Sequence, residues 1–202
     1  MAYDGRVMAC SVTFHDRIGK DRLVGAVDPL DVDRFHELLE AALSETARAA
    51  LGARDVEVEL TLCGDAEMTR LNFDHMGERG PTDVLSFPLH EWMVEGRHSH
   101  LTDDDGISPP GSLLLGDVAI DVDQAVRQAV EGGWSVAEEL VLLAIHGTLH
   151  LLGHDHADPD EEQTMRGIEH AVLTVLHRRY REVDWQPGSL FDRVGHAVPA
   201  GS

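Results

Sequence analysis

Cysteine is nearly absent: Cys10 and Cys63 are the only two in 202 residues. Both sit in alternating apolar segments and read as small core side chains, which excludes a disulfide framework and a thiolate metal site. Long apolar runs are missing too. No stretch approaches the roughly 20 residues a helix needs to cross a bilayer, and MAYDGRVMACSVTF at the N-terminus lacks a basic region followed by an apolar core. These absences predict a cytoplasmic protein with no membrane partner. Basic residues are scarce, 16 Lys and Arg against 37 Asp and Glu, for a net charge of -21. That balance argues against a broad basic surface for gripping nucleic acid and against DNA as a partner, so any polyanionic substrate must be held by a local site or a metal.

Histidine, by contrast, is abundant, and four of the 13 fall within His146 to His156, HGTLHLLGHDH. His146 and His150 stand four apart and project from one face of a helix, as two ligands of one metal require. Ser135 with Glu138 predicts a capping box at the start of that helix, and the apolar run Leu140 to Ile145 buries it. Gly153 falls where a left-handed residue ends a helix, so the chain turns back and presents His156 as the third ligand. His154, one residue past the glycine, is expected to line the cleft. Three neutral imidazoles leave one coordination position open, the pattern of a catalytic zinc ion, one per chain, rather than a structural one. Asp155 either orients an imidazole, takes a proton, or bonds its own backbone in the turn.

The remaining periodicity predicts one α+β domain over residues 1–183, with a small mixed β-sheet, packed helices and a zincin-like metal-bearing helix, followed by a flexible tail over 184–202. Strands are expected at Arg6–Phe14, with Met8, Cys10, Val12 and Phe14 inward, at Asp55–Cys63 with one wet face, at Thr82–Pro88, and at Leu113–Asp121 interrupted at Gly116. Helices are expected at Asp31–Leu51, ended by Gly52, from Asp65 as cap through Asn72, from Val122 to Gln128, closed by Gly132-Gly133, and from Asp158-Pro159 to about Tyr180. Residues 89–111 read as a polar, acidic surface loop whose aspartates are solvated.

The spacing H-x3-H-x2-G-x2-H matches the metzincin peptidase pattern except that Gly147 stands where that motif carries its glutamate base. Glycine takes no proton and costs a helix about 1 kcal/mol relative to alanine, which suggests that something approaches the backbone closely there. A peptidase of the usual mechanism is disfavoured.

The same stretch resembles the bacterial YbeY endoribonucleases, the ribosomal RNA maturation factors. Their pattern H-G-x-L-H-L-x-G-Y-D-H is met by His146, Gly147, Leu149, His150, Leu151, Gly153, Asp155 and His156, with His154 in place of the tyrosine. Their P-T-D-V-L-S-F-P block is met by Pro81 to Pro88, preceded by Leu71-Asn72, and their Leu-Gly-Asp by Leu115-Gly116-Asp117. The resemblance implies a single α+β domain with a zinc site in a cleft, and metal-dependent cleavage of single-stranded RNA, serving small-subunit ribosomal RNA processing and ribosome quality control, with the small ribosomal subunit as partner. It implies that His146, His150 and His156 hold zinc and that Thr82, Asp83, Ser86 and Asp117 line the cleft. The family's arginine four residues after Leu-Asn is Met76 here, and Arg79 is the nearest replacement to meet a phosphate. The catalytic candidates are therefore Asp155, Asp83 and Arg79. Two other readings stay open: a metallohydrolase of another substrate, such as a peptide, and a zinc-containing ribosome-assembly factor without catalysis.

Overall fold

The computed structural model describes residues 10–28, 30–52, 55–90, 112–156, 158–181 and 185. The expected strand start at Arg6, nearly all of the 89–111 stretch and the chain beyond Trp185 lie outside these residues. Four strands form one mixed sheet in the order β1-β2-β4-β3. β1 (Cys10–Asp16), β2 (Val56–Cys63) and β4 (Leu113–Asp121) run parallel, and β3 (Val84–Pro88) forms one edge, antiparallel to β4. Pro88, which has no N–H to give a ladder, ends that edge strand. Beyond it, Leu89 N still donates to Leu115 O at 3.0 Å.

Parallel neighbours need crossover connections, and helices supply them. α1 (Lys20–Val27) and α2 (Val32–Leu51) join β1 to β2, and α3 (Asp65–Met76) follows β2. After β4 come α4 (Val122–Gly132), α5 (Val136–Leu151) and α6 (Pro159–Arg179). This is the α+β class that the sequence predicts. The N-terminal signals hold: Asp31 caps α2, Ser135 and Glu138 close a capping box on α5, and Asp158 caps α6 with proline in its first turn. The exception is α3, capped by Gly64 rather than Asp65, its first amide held instead by the Asp123 carboxylate, which accepts from Asp65 N at 3.1 Å.

The sheet is covered on both sides. Val58, Leu60, Leu62, Val118 and Ile120 join α2, α5 and α6 in the main core. On the other face a small cluster of Cys63, Met68, Leu85 and Ala119 lies under α3, so the side of β2 expected to be wet is dry at its end. The strand expected to break at Gly116 runs through it with a register shift opposite Glu57/Val58. Gly116 has φ +138°, and a Cβ there would lie 2.2 Å from Phe87 O, so no other residue fits. α1 lies in a stretch where the sequence predicts no element. Trp185, expected in a flexible tail, is buried and donates its indole N–H to Tyr180 O at 2.8 Å.

α5 is apolar all round, as a helix must be if it is enclosed. It is buried along its length apart from Val136, at its start, and two residues further on: His146 and His150.

Candidate metal centre

The two half-buried histidines of α5 are four residues apart, so the helix itself fixes their separation, and their Nε2 atoms lie 3.1 Å from each other. Gly153, with φ +77°, turns the chain after the helix, and the turn is pinned by Gly153 N to His150 O at 2.9 Å and His154 N to Leu149 O at 3.0 Å. The turn brings His156 over the pair, with ring centroids 5.6 Å from His146 and 5.1 Å from His150. One ring nitrogen of each of the three lies within 4.8 Å of those of the others, a group able to hold a metal ion.

Two features prepare these rings as ligands. Glu169, buried on α6, lies 2.8 Å from His146 Nδ1. That contact favours the tautomer with the proton on Nδ1 and leaves the Nε2 lone pair facing the other rings. His150 has its pKa pushed down to about 4, first by burial and then by His146 and His156, so it is neutral and able to ligate at neutral pH. Glu169 is the functional residue that sequence reasoning missed. Its signal was a carboxylate on the apolar stripe of α6, between Met165 and Val172.

Two cavities meet at the histidines. One, of about 480 Å³, runs along β3 and includes Met76, Thr82, Asp83, Ser86, His150 and His156. The other, of about 240 Å³, opens between α5 and α6 and shares Asp83, His146 and His156 with the first. Asp83 Oδ1 accepts from Val84 N at 2.9 Å, and Oδ2 accepts from Gln128 of α4 at 2.9 Å, so its carboxylate is a fixed part of the wall. Asp155 is exposed, lines the larger cavity, and accepts the His156 amide N–H at 2.7 Å. His154 lines the same cavity.

Gly147 explains itself here. A Cβ on it would lie 2.7 Å from Val118 Cγ1 and 3.0 Å from Val84 Cγ2, and Ser86 Oγ donates to Gly147 O at 2.8 Å. What approaches the helix so closely is the sheet, and the position has no room for the glutamate a metzincin peptidase carries.

The scan against family models matches residues 26–177 to the endoribonuclease YbeY family. A YbeY endoribonuclease of Desulfitobacterium hafniense is 41% identical over 139 residues, covering 69% of this chain and 83% of the relative. Those of Rhodococcus erythropolis and Frankia casuarinae are 38% and 44% identical, over 153 and 138 residues, covering 73% and 66% of this chain and 81% and 66% of the relatives. The chain belongs to the YbeY endoribonuclease family. Among solved structures it is similar to a Thermotoga maritima protein determined in solution, with TM-score 0.52 and 21% identity over 96% of this chain and 99% of that one, a likeness in fold.

Three residues carried over from the YbeY pattern or offered as its substitutes find different places. Asp117 is exposed and alternates with Val118, whose side chain faces Gly147; it therefore stands on the far face of the sheet, away from the histidines. Arg79 is exposed on the loop between α3 and β3 and lines neither cavity at the histidines. Met76, where YbeY proteins often carry arginine, does line the larger one. A second acidic group, Asp65, Asp121 and Asp123, gathers at the ends of β2 and β4, where Arg127 grips Asp65 through two bonds of 2.6 and 3.0 Å and Arg22 pairs with Asp123.

Proposed function

We propose that this protein is a zinc-dependent endoribonuclease that cuts single-stranded RNA in the cytoplasm, acting in small-subunit ribosomal RNA maturation and ribosome quality control, with the small ribosomal subunit as its partner. The observation that carries the reading is the convergence of three imidazole nitrogens, one anchored by a buried carboxylate, at the junction of two cavities. The donor set fits zinc: bonds of about 2.0–2.1 Å in tetrahedral geometry separate two ligand nitrogens by roughly 3.3 Å, and His146 and His150 hold theirs at 3.1 Å. Imidazole suits nickel and cobalt as well, and zinc is the proposal.

His146, His150 and His156 would hold the ion, with Glu169 fixing the tautomer of His146 and keeping its ring in place. When bound, zinc supplies a Lewis acid that polarises a phosphoryl oxygen and offsets the charge that builds on it. Asp155 is the carboxylate we assign to proton transfer from the attacking water or 2′-hydroxyl, because one of its oxygens lies outside the bond it accepts from His156. Asp83, with both oxygens engaged, positions the wall against which the substrate lies. Arg79 meets a phosphate further along the strand. A peptidase reading is not favoured, since Gly147 has no space for a base.

The test is metal content together with cleavage of a short single-stranded RNA by wild type and His156→Ala. Metal bound and RNA cut by wild type alone is the expected result. Equal cutting by the variant would remove the site from the chemistry.

A further inference from the structure

The cavity between α5 and α6 is not needed to hold a metal, yet it opens onto His146 and His156. An RNA strand with a phosphate at those histidines and its run along β3 therefore has one neighbouring nucleotide at this mouth. At about 240 Å³ the cavity is smaller than the roughly 300 Å³ at which pockets for drug-sized ligands begin, which suits a single base rather than a stacked pair. Leu142, Leu143 and Met165, all buried, supply apolar surface for its flat faces.

Apart from His146, His156 and Arg166, the polar lining is acidic. Asp83, Glu139, Glu162 and Glu169 are carboxylates, which accept hydrogen bonds and, when ionised, donate none. Arg166 is the one Lys or Arg among the lining residues, and its Nε and Nη2 both go to Glu162 Oε1, at 2.9 and 2.6 Å. Phosphate is repelled from such a lining, so the backbone passes outside and the base goes in. A base that brings N–H donors is favoured over one that brings acceptors alone. Adenine and cytosine present an exocyclic amino group, and guanine presents an amino group beside a ring N–H. Uracil has a single N–H between two carbonyl oxygens, and those oxygens would face carboxylates.

We infer that this cavity is a base-binding subsite that admits amino-bearing bases and disfavours uracil, with Glu162 at its mouth reading the amino group. The inference rests on the nuclease reading, and its test separates the two. Free nucleosides, which carry no phosphate for a metal to attract, are titrated against the metal-loaded full chain by saturation-transfer NMR. Cytidine and adenosine should bind at least about fivefold more tightly than uridine, the lower end of discrimination for a good donor–acceptor pair. Glu162→Gln, a half-exposed rim change that adds a donor, should reduce that preference, and Leu143→Phe should fill the cavity and abolish nucleoside binding. Oligouridine carrying one cytidine should be cut beside the cytidine. Uridine binding as well as cytidine, or an unchanged preference in Glu162→Gln, overturns the subsite. Discrimination among nucleosides with no RNA cut leaves the subsite standing and sinks the nuclease reading. RNA cut without base preference, with nucleosides bound equally, does the reverse.

Discussion

Glu169 touches no substrate in the proposed reaction, yet it holds the proton on the far side of His146 at 2.8 Å. Glu169→Gln keeps the shape and removes the charge. It should weaken metal affinity by about 10–100-fold, the usual cost of losing a carboxylate behind a ligating imidazole, as read by chelator competition. RNA cleavage should fall with it and recover when excess metal is added, which a merely misfolded variant would not do. Met76 offers the opposite experiment. It lines the larger cavity and is half-exposed, so Met76→Arg places a cation at a phosphate's approach in a chain of net charge -21. The KM for single-stranded RNA should drop several-fold at low salt, with kcat little changed and the gain shrinking as salt rises.

At the scale of elements, α5 and the sheet are fitted to one another at Gly147. Alanine there gains about 1 kcal/mol of helix propensity but meets methyls of Val118 and Val84 at 2.7 and 3.0 Å. Both neighbours are β-branched and hold one preferred rotamer, so the overpacking cost of about 1–3 kcal/mol should prevail; Gly147→Ala should melt at a lower temperature and lose metal affinity as His146 shifts. At the start of α4, Asp121 is fully buried and its Oδ2 has no hydrogen-bond partner, while Oδ1 accepts from Asp123 N and Gln124 N. Burial first, and then the neighbouring Asp65, push its pKa from 3.8 up to about 7. The folded chain therefore binds a proton that the unfolded chain has released between those values. The associated stability is fully present below about pH 4 and lost as pH rises through 7. Asp121→Asn keeps the cap and cannot ionise, so its melting temperature should exceed wild type at pH 8 and match it only below about pH 4. A variant no more stable at pH 8 would refute the raised pKa of Asp121.

The elements with chemical punctuation were legible: Ser135 with Glu138, Gly153, and Asp158-Pro159 each mark a backbone requirement that sequence alone displays. What stayed hidden depended on partners far along the chain. α1 is one such element, with only Leu23 and Val27 fully buried. The face on which Asp117 lies is set after the bulge, and Glu169 acquires meaning only once α6 is laid against α5. The gathering of His146, His150 and His156 was readable because one helix and one turn hold all three. The cleft was legible in part: Thr82, Asp83, Ser86 and His154, named from the sequence, line the larger cavity, whereas the smaller one exists only once α6 is laid against α5.

Across the whole molecule, the core and the centre are built from different atoms. The buried cluster runs from α2 through the sheet to α6 without using His146, His150 or His156. Removal of metal by a chelator should therefore abolish RNA cleavage and lower the melting temperature modestly, while leaving the far-UV circular dichroism unchanged, unlike a small domain whose folding waits for zinc. Among the described residues no helix is long and apolar enough to cross a membrane, and α5, the most apolar of them, is spent inside the protein. Beyond its first residue, that helix reaches solvent only at His146 and His150. In evolutionary terms the proposed chemistry is thus detachable: a lineage that replaced those two residues would give up the pair and inherit the scaffold intact. Ancestry and activity can part company at two codons, and a descendant of this shape without the pair keeps the fold while its trade must be worked out afresh.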